Sequence, residues 1–330
     1  MIIFIDFVKP FSYHRDKFMP QGASVMQFKQ ANFKITGLLI LFIMCLTQQI
    51  VADESENSNK IYEENKNSVF LVNQSIFIDE SKLDHIDLFK KLELSMDKKV
   101  LNQYFPIANG TAFLINPDGY FITAAHVVKY IEQEKKFEAA PWIFEEYISK
   151  NAIPGYLTRQ ELRTVFKEYL KYMADAKIVI SMKSIDRKDY VAEVIAQNNS
   201  LDLALLKIDL DKELTPLTIS DEEMLKEGDQ VFTIGYPLQF IMDSFLDDFK
   251  PTFTNGVISA IRTDKWDLQH TASINGGNSG GPLLSNKGEL IGVNVGAITK
   301  ANDIYFSTNA SKIKKWLEDI DQADILDWNE

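Results

Sequence analysis

A chain of 330 residues that is 45% hydrophobic can bury one large core or two smaller ones. Its formal net charge of -12 at pH 7 disfavours nucleic acid and anionic membranes as partners, because both would be repelled. The only cysteine, Cys45, excludes an intramolecular disulfide, and none of the four histidines has a second ligand at a metal-site spacing. We therefore expect neither a metal nor another cofactor.

The first 52 residues predict an export leader. An apolar run over 35–46 follows Lys29 and Lys34, and its length fits the hydrophobic core of a signal peptide rather than a membrane span. Cleavage after Ala52 would leave a protein without stable membrane insertion, in the periplasm or secreted. An uncleaved membrane anchor is the alternative, and Met26 offers a second start for translation.

Strand patterns and one helical segment fill the first half of the chain. Residues 53–67 are acidic and without periodicity, and predict a flexible lead-in. Strands are predicted over 68–72, 110–115, 120–123, 178–182, 190–197 and 203–208. Between them, 131–177 has helical spacing, with helices over about 140–150 and 158–174 and a capping box from Thr158 to Glu161. This segment is expected to dock on the body, and a lid or partner surface is the alternative.

The second half continues with β patterns and closes on a helix. Strands are predicted over 230–235, 254–261, 289–296 and 304–308. Residues 310–320 form an amphipathic helix in which Ile313, Trp316 and Leu317 share one face.

Three polar residues lie in motifs that fit catalysis. Ser279 is surrounded by four glycines and a proline in the run from Ile274 to Leu284, a pattern that predicts a sharp turn presenting a hydroxyl. His126 follows two alanines, and Asp202 stands at the start of an apolar strand. Singly, each motif has an ordinary structural explanation: a glycine turn, a buried histidine or a turn-capping aspartate. The pattern G-x-S-x-G around Ser279 also occurs in α/β-hydrolases, but those need a later histidine, and none follows.

The order His126, Asp202, Ser279 resembles the trypsin-like serine proteases, most closely the bacterial HtrA/Deg branch, in which a hairpin like Gly110–Phe113 leads to the histidine. The resemblance implies an all-β fold of two six-stranded antiparallel β-barrels with the active site between them. The barrels would span 68–212, including the helical insertion over 131–177, and 213–330, including the C-terminal helix. HtrA proteins generally continue into a PDZ domain, which this chain is expected to lack.

The resemblance further implies an exported serine endopeptidase that acts on proteins or peptides. His126, Asp202 and Ser279 would form the catalytic triad, and the N–H groups of Gly277 and Ser279 the oxyanion hole. Ser273 would lie at the base of the specificity pocket, with the strand from Val293 to Gly296 along its wall. Since residue 273 is not acidic, we expect small or medium apolar residues before the cleaved bond. Oligomeric assembly stays open, and the alternative function is a catalytically idle protein of the same fold that binds peptides or partners, with the helical insertion as a docking surface.

Overall fold

The computed structural model describes residues 55–77, 104–129, 177–220, 225–237, 249–263, 266–298 and 303–329, with isolated positions between 158 and 167. The predicted leader over 1–52 and almost all of the predicted insertion over 131–177 lie outside these residues. The chain divides into two compact units, Met1–Asn57 and Ser58–Glu330, and every described strand belongs to the second. In the described part of the chain, no helix is long and apolar enough to cross a membrane.

The first barrel is a closed antiparallel sheet of six strands. In space the strands follow the order β1-β2-β3-β6-β5-β4, and pairing of β1 with β4 closes the barrel. The strands are β1 (Val69–Phe77), β2 (Tyr104–Asn116), β3 (Tyr120–Thr123), β4 (Lys177–Lys183), β5 (Asp189–Asn198) and β6 (Leu203–Lys207).

The second barrel repeats this closed architecture. Its order is β10-β11-β12-β9-β8-β7, closed by β7 against β10. The strands are β7 (Gln230–Gly235), β8 (Thr252–Ile261), β9 (Leu268–His270), β10 (Pro282–Ser285), β11 (Leu290–Ala297) and β12 (Tyr305–Asn309). The predicted all-β fold of two six-stranded barrels is therefore confirmed.

Strand β2 shows how the two barrels come to pack on each other. Its successive side chains alternate between two apolar clusters, as the period of two along a strand requires. Ala112 and Leu114 lie in a cluster with other strands of the first barrel, whereas Phe113 and Ile115 lie in a cluster shared with β7 of the second barrel. Because both faces of β2 are apolar and buried, this strand contributes to the core of the first barrel and to the packing between the two barrels.

The C-terminal end of the described chain packs on this shared core. The C-terminal helix, Ser311–Asp319, buries the predicted face of Ile313, Trp316 and Leu317. A 3-10 helix follows at Ala323–Asn329 and is tied to the first barrel by Asn116, whose Nδ2 donates to the carbonyl of Ile325 at 2.6 Å.

The prediction of a flexible lead-in over 53–67 is wrong for the described part of that segment. Residues 55–65 are helical and are followed by a 3-10 helix, Lys66–Ser68. Ile61 is only 2% exposed in the shared core, and the ring of Tyr62 lies 5.5 Å from that of Phe253. The sequence pattern misleads because a short acidic helix has little intrinsic stability, and tertiary packing of its two apolar residues supplies the rest.

One detail of the predicted insertion lies within the described residues. The N–H of Thr158 donates to the Glu161 carboxylate at 2.8 Å, and the N–H of Glu161 donates to Thr158 Oγ1 at 3.3 Å. This reciprocal pair is the predicted capping box. The docking of the insertion concerns residues outside the described ones and stays a prediction.

Candidate active site

His126 lies on a single helical turn, Ala125–Val128, directly after β3. Ala125, Val127 and Val128 are buried, whereas the His126 side chain is 46% exposed. The apolar neighbours therefore anchor the turn in the first barrel and leave the imidazole partly exposed.

Asp202 holds this histidine with its side chain and its backbone. Its Oδ1 accepts the backbone N–H of His126 at 3.0 Å, and its Oδ2 lies 2.9 Å from His126 Nδ1. The Asp202 carbonyl accepts the N–H of Ala125 at 3.1 Å. Since an ionised carboxylate only accepts hydrogen bonds, Nδ1 carries the proton of the neutral ring, and in that form the Nε2 lone pair is free to accept a proton.

Asp202 reaches this position through an unusual backbone conformation. It has φ +58 in the tight turn between β5 and β6, and only 9% of its side chain is exposed. Aspartate tolerates this left-handed conformation better than most residues. The turn thus aims a buried carboxylate at the neighbouring histidine.

Ser279 lies in the turn between β9 and β10 and is half-buried. The turn before it is closed by the N–H of Asn278, which donates to the carbonyl of Asn275 at 2.9 Å. Gly277, the third residue of this turn, has φ +102, as a type II turn requires at that place. Among the described residues, the N–H groups of Gly277 and Ser279 have no hydrogen-bond acceptor, so two donors remain beside the serine.

The first barrel touches the serine turn closely. The N–H of Thr111 donates to the Ser279 carbonyl at 2.8 Å. A Cβ on Gly110 would lie 2.5 Å from Val127 and 2.9 Å from the Ser279 carbonyl, and a Cβ on Gly280 would lie 2.1 Å from Thr123 Oγ1. Only glycines allow this approach, which brings the serine turn against the two strands that lead to His126.

A buried polar network supports the serine turn from inside the second barrel. The backbone of Asn294 brackets the residues after the serine: its carbonyl accepts the N–H of Gly280 at 2.7 Å, and its N–H donates to Gly281 at 2.9 Å. The Asn294 Oδ1 accepts the hydroxyl of Ser307 at 3.0 Å, and that hydroxyl oxygen lies 3.0 Å from Nε2 of the fully buried His270. Because the Ser307 proton is already donated, His270 Nε2 must be the donor. Burial lowers the pKa of His270 to about 4, so the ring is neutral at neutral pH.

The residues predicted for the specificity pocket do not all share one surface. Ser273 is half-buried, its carbonyl accepts Thr254 Oγ1 at 2.8 Å, and its Oγ lies 3.2 Å from the hydroxyl of Tyr305. A Cβ on Gly296 would meet no atom within 4 Å, so this glycine borders open space. Val293 is fully buried in the shared core, and its side chain offers no surface to a substrate.

Two residues beside the site have no signal in the sequence, namely Thr111 and Tyr305. The glycine before Thr111 belongs to a recognisable motif, but an internal strand threonine carries no local sign of a contact with the other barrel. Tyr305 lies in a predicted strand, where an aromatic residue is ordinary. Only the packing of the two barrels and the sheet order of the second reveals their positions.

Comparison with known proteins gives a consistent result. The trypsin-like peptidase domain family matches residues 110–293. Mouse serine protease HTRA4 is 27% identical over 73% of this chain, and a probable periplasmic serine endoprotease of a Marinomonas species, described as DegP-like, is 33% identical over 46%. The chain spans 39% and 31% of these two relatives, respectively. The crystal structure of the serine endoprotease from Yersinia pestis matches with a TM-score of 0.50 at 20% identity, covering 83% of this chain and 68% of that one, which supports the fold.

Proposed function

Because the chain belongs to the trypsin-like peptidase domain family, we propose that it is a serine endopeptidase with Ser279 as nucleophile, His126 as general base and Asp202 as the residue that orients the histidine. The observation that carries the proposal is the pair of hydrogen bonds that the Asp202 carboxylate accepts from His126, next to a serine turn packed on the same barrel.

The reaction is acyl transfer to water. Ser279 Oγ attacks the carbonyl carbon of the scissile bond while its proton passes to His126 Nε2. The protonated ring then gives that proton to the departing amine as the C–N bond breaks. Water repeats the sequence on the ester and releases the acid and the free serine. Asp202 stabilises the imidazolium that forms in each half of the cycle.

The oxyanion of each tetrahedral intermediate would be bound by the N–H groups of Gly277 and Ser279. Support comes from the absence of any other acceptor for these groups among the described residues and from the positive φ of Gly277. Two donors fixed before the reaction stabilise the developing charge without reorganisation, and losing one such donor costs about a hundredfold or more in rate.

Reaction with a fluorophosphonate probe tests the nucleophile directly. The wild type should be labelled covalently on Ser279 and should hydrolyse fluorescein-labelled casein, whereas Ser279→Ala should do neither. Ser285→Ala is a matched control, because Ser285 is a buried serine at the far end of β10. A wild type that neither reacts nor hydrolyses casein would overturn the proposal and favour a protein that only binds partners.

The pocket next to Ser279 is proposed to accept small or medium apolar residues before the cleaved bond. Ser273 and Tyr305 would close its base with two facing hydroxyl groups and no charge. Cleavage-site mapping on a peptide library tests this. Ser273→Asp should shift cleavage towards lysine and arginine, and an unchanged cleavage pattern would show that residue 273 lies outside the pocket.

Export is the last part of the proposal. The apolar run over 35–46 supports it, as does the DegP-like relative described as a probable periplasmic endoprotease. N-terminal sequencing of the protein from its native source should begin at Asp53. A protein retained in the membrane with the run over 35–46 intact would point to an anchor instead.

A further inference from the structure

We propose that Thr111, in the first barrel, is a positioning residue. Its hydroxyl fixes the peptide between Gly277 and Asn278 in the second barrel and thereby orients the N–H groups of the proposed oxyanion hole. The proposal rests on the proposed function, because its main consequence is a faster acyl transfer.

Every polar atom of Thr111 is engaged with the site or with its supports. Its N–H donates to the Ser279 carbonyl at 2.8 Å, and its Oγ1 donates to the Gly277 carbonyl at 2.7 Å. The same Oγ1 accepts the backbone N–H of Tyr236 at 3.1 Å, and the Thr111 carbonyl accepts Thr123 Oγ1 at 2.7 Å. Thr111 is fully buried, so water has no access to replace these bonds.

The direction of the hydroxyl proton follows from its partners. The N–H of Tyr236 can only donate, so it occupies a lone pair of Thr111 Oγ1. The single hydroxyl proton is then left for the Gly277 carbonyl, which can only accept. The hydroxyl therefore has one arrangement that satisfies both neighbours. This arrangement ties Tyr236, the residue after β7, to the serine turn through a side chain of the first barrel.

The hydrogen bond from Thr111 Oγ1 to the Gly277 carbonyl, here called the clamp, acts on the peptide that lies between the two proposed oxyanion donors. That peptide is held at both ends, because its carbonyl accepts Thr111 Oγ1 and its N–H donates to the Asn275 carbonyl. The preceding peptide carries the N–H of Gly277, and the following one carries the N–H of Ser279. With glycine at both 276 and 277, the local backbone has little resistance of its own to a peptide flip. The Thr111 hydroxyl supplies the missing restraint.

Thr111→Val and Thr111→Ser separate this role from simple packing. Valine keeps the shape but leaves the Gly277 carbonyl and the Tyr236 N–H buried without a partner, whereas serine keeps the hydroxyl and loses the methyl that lies against Gly281. On fluorescein-labelled casein, Thr111→Val should lose about tenfold to a hundredfold in kcat with KM within about twofold, and fluorophosphonate inactivation should slow by a similar factor. Thr111→Ser should stay within about threefold of wild type in both measurements.

Ser68→Ala is the matched control. Ser68 is also a buried hydroxyl that donates to a backbone carbonyl, that of Thr215 at 2.5 Å, but it is not part of the site. This variant should lower the midpoint of thermal unfolding and leave kcat unchanged. An equal kcat loss in Ser68→Ala, an equal loss in Thr111→Ser and Thr111→Val, or a folded Thr111→Val with wild-type kcat would each overturn the proposal.

Two further measurements keep the test decisive. If Thr111→Val does not fold, Thr111→Cys provides a weak donor of similar size, and a wild-type kcat for it would show that the hydroxyl is dispensable. Amide hydrogen exchange in the Ser279→Ala background does not depend on catalysis. There, Thr111→Val should speed exchange at Asn278 and Tyr236 but not at Leu284 in β10. Unchanged exchange at Asn278 and Tyr236 would overturn the clamp. If exchange is faster in Thr111→Val but the wild type does not react with the fluorophosphonate, only the proposed protease function is overturned.

Discussion

Asp202→Asn tests the electrostatic centre of the proposed mechanism with almost no change in shape. The Asp202 carboxylate accepts two N–H groups, from the backbone and from Nδ1 of His126. An asparagine offers one acceptor and one donor in the same place. If its oxygen stays on the backbone N–H, its NH2 group faces Nδ1, and the ring must then present a lone pair there. The ring proton moves to Nε2, which can no longer receive the proton of Ser279.

The expected loss of kcat is large because Asp202→Asn changes the tautomer of the His126 ring as well as its orientation. In the chymotrypsin-type triad the corresponding change lowers kcat about 10⁴-fold, equal to about 5 kcal/mol of transition-state stabilisation, and we expect a loss of this order here. The measurement is kcat/KM on fluorescein-labelled casein at neutral pH, with active enzyme counted by fluorophosphonate titration.

Asp189→Asn provides the control for loss of a negative charge in the same barrel. Asp189 is exposed at the start of β5, and its carboxylate lies 3.4 Å from Lys183 Nζ, so its ion pair contributes at most about 1 kcal/mol to stability. Its removal should leave kcat/KM within about twofold of wild type. Retention of more than about a tenth of the activity by Asp202→Asn would refute the assigned role, since orientation alone would then account for the geometry.

Three further predictions concern stability and the shape of the serine turn. Because burial lowers the pKa of His270 to about 4, below the value of about 6.5 in the unfolded chain, the unfolded chain binds the proton first. Urea unfolding of Ser279→Ala should therefore lose about 3 kcal/mol from this group as pH falls from about 6.5 to about 4, and adding His270→Gln should remove that component. Gly280→Ala should abolish casein hydrolysis, because the new Cβ would lie 2.1 Å from Thr123 Oγ1. Gly228 has a similar backbone conformation, with φ +95 against +84 at Gly280, but its Cβ would meet no atom within 4 Å. Gly228→Ala should therefore lose only about 1 kcal/mol of stability and stay active. Ile61→Ala should cost about 2 to 4 kcal/mol in the same unfolding assay, and a cost below about 1 kcal/mol would show that the N-terminal helix is not part of the core.

The sequence predicts those strands and helices that have a local pattern of apolar and polar residues. It predicts all six strands of the first barrel, although β1 and β2 extend further, to Phe77 and from Tyr104, because they pair with each other beyond their apolar runs. In the second barrel it misses β9 and β10. They have three and four residues, and runs this short show no period of two by themselves. Strand β3 is as short, but the Asn-Pro-Asp-Gly turn before it marks it as half of a hairpin.

The candidate site likewise contains residues that the sequence reveals and residues that it does not. His126, Asp202 and Ser279 can be selected because their order along the chain is itself a signal. Thr111 cannot, because its hydroxyl reaches a carbonyl 166 residues away and nothing near it in the sequence encodes that contact. For Val293, the resemblance implies a strand beside the proposed pocket, but the packing buries this side chain in the shared core, which the sequence does not reveal.

The contacts between the barrels suggest why the site is built at their interface. Thr111 of the first barrel holds the carbonyl of Gly277 in the second, and Thr308 of the second barrel donates through Oγ1 to the carbonyl of Leu201, directly before Asp202, at 2.9 Å. Each barrel therefore fixes the backbone beside the proposed catalytic residues of the other. Because both threonines are fully buried, these bonds form only when the two barrels are packed together. Neither barrel alone holds a complete site, and the geometry at Ser279 depends on the same docking that buries Phe113 and Ile115 against β7.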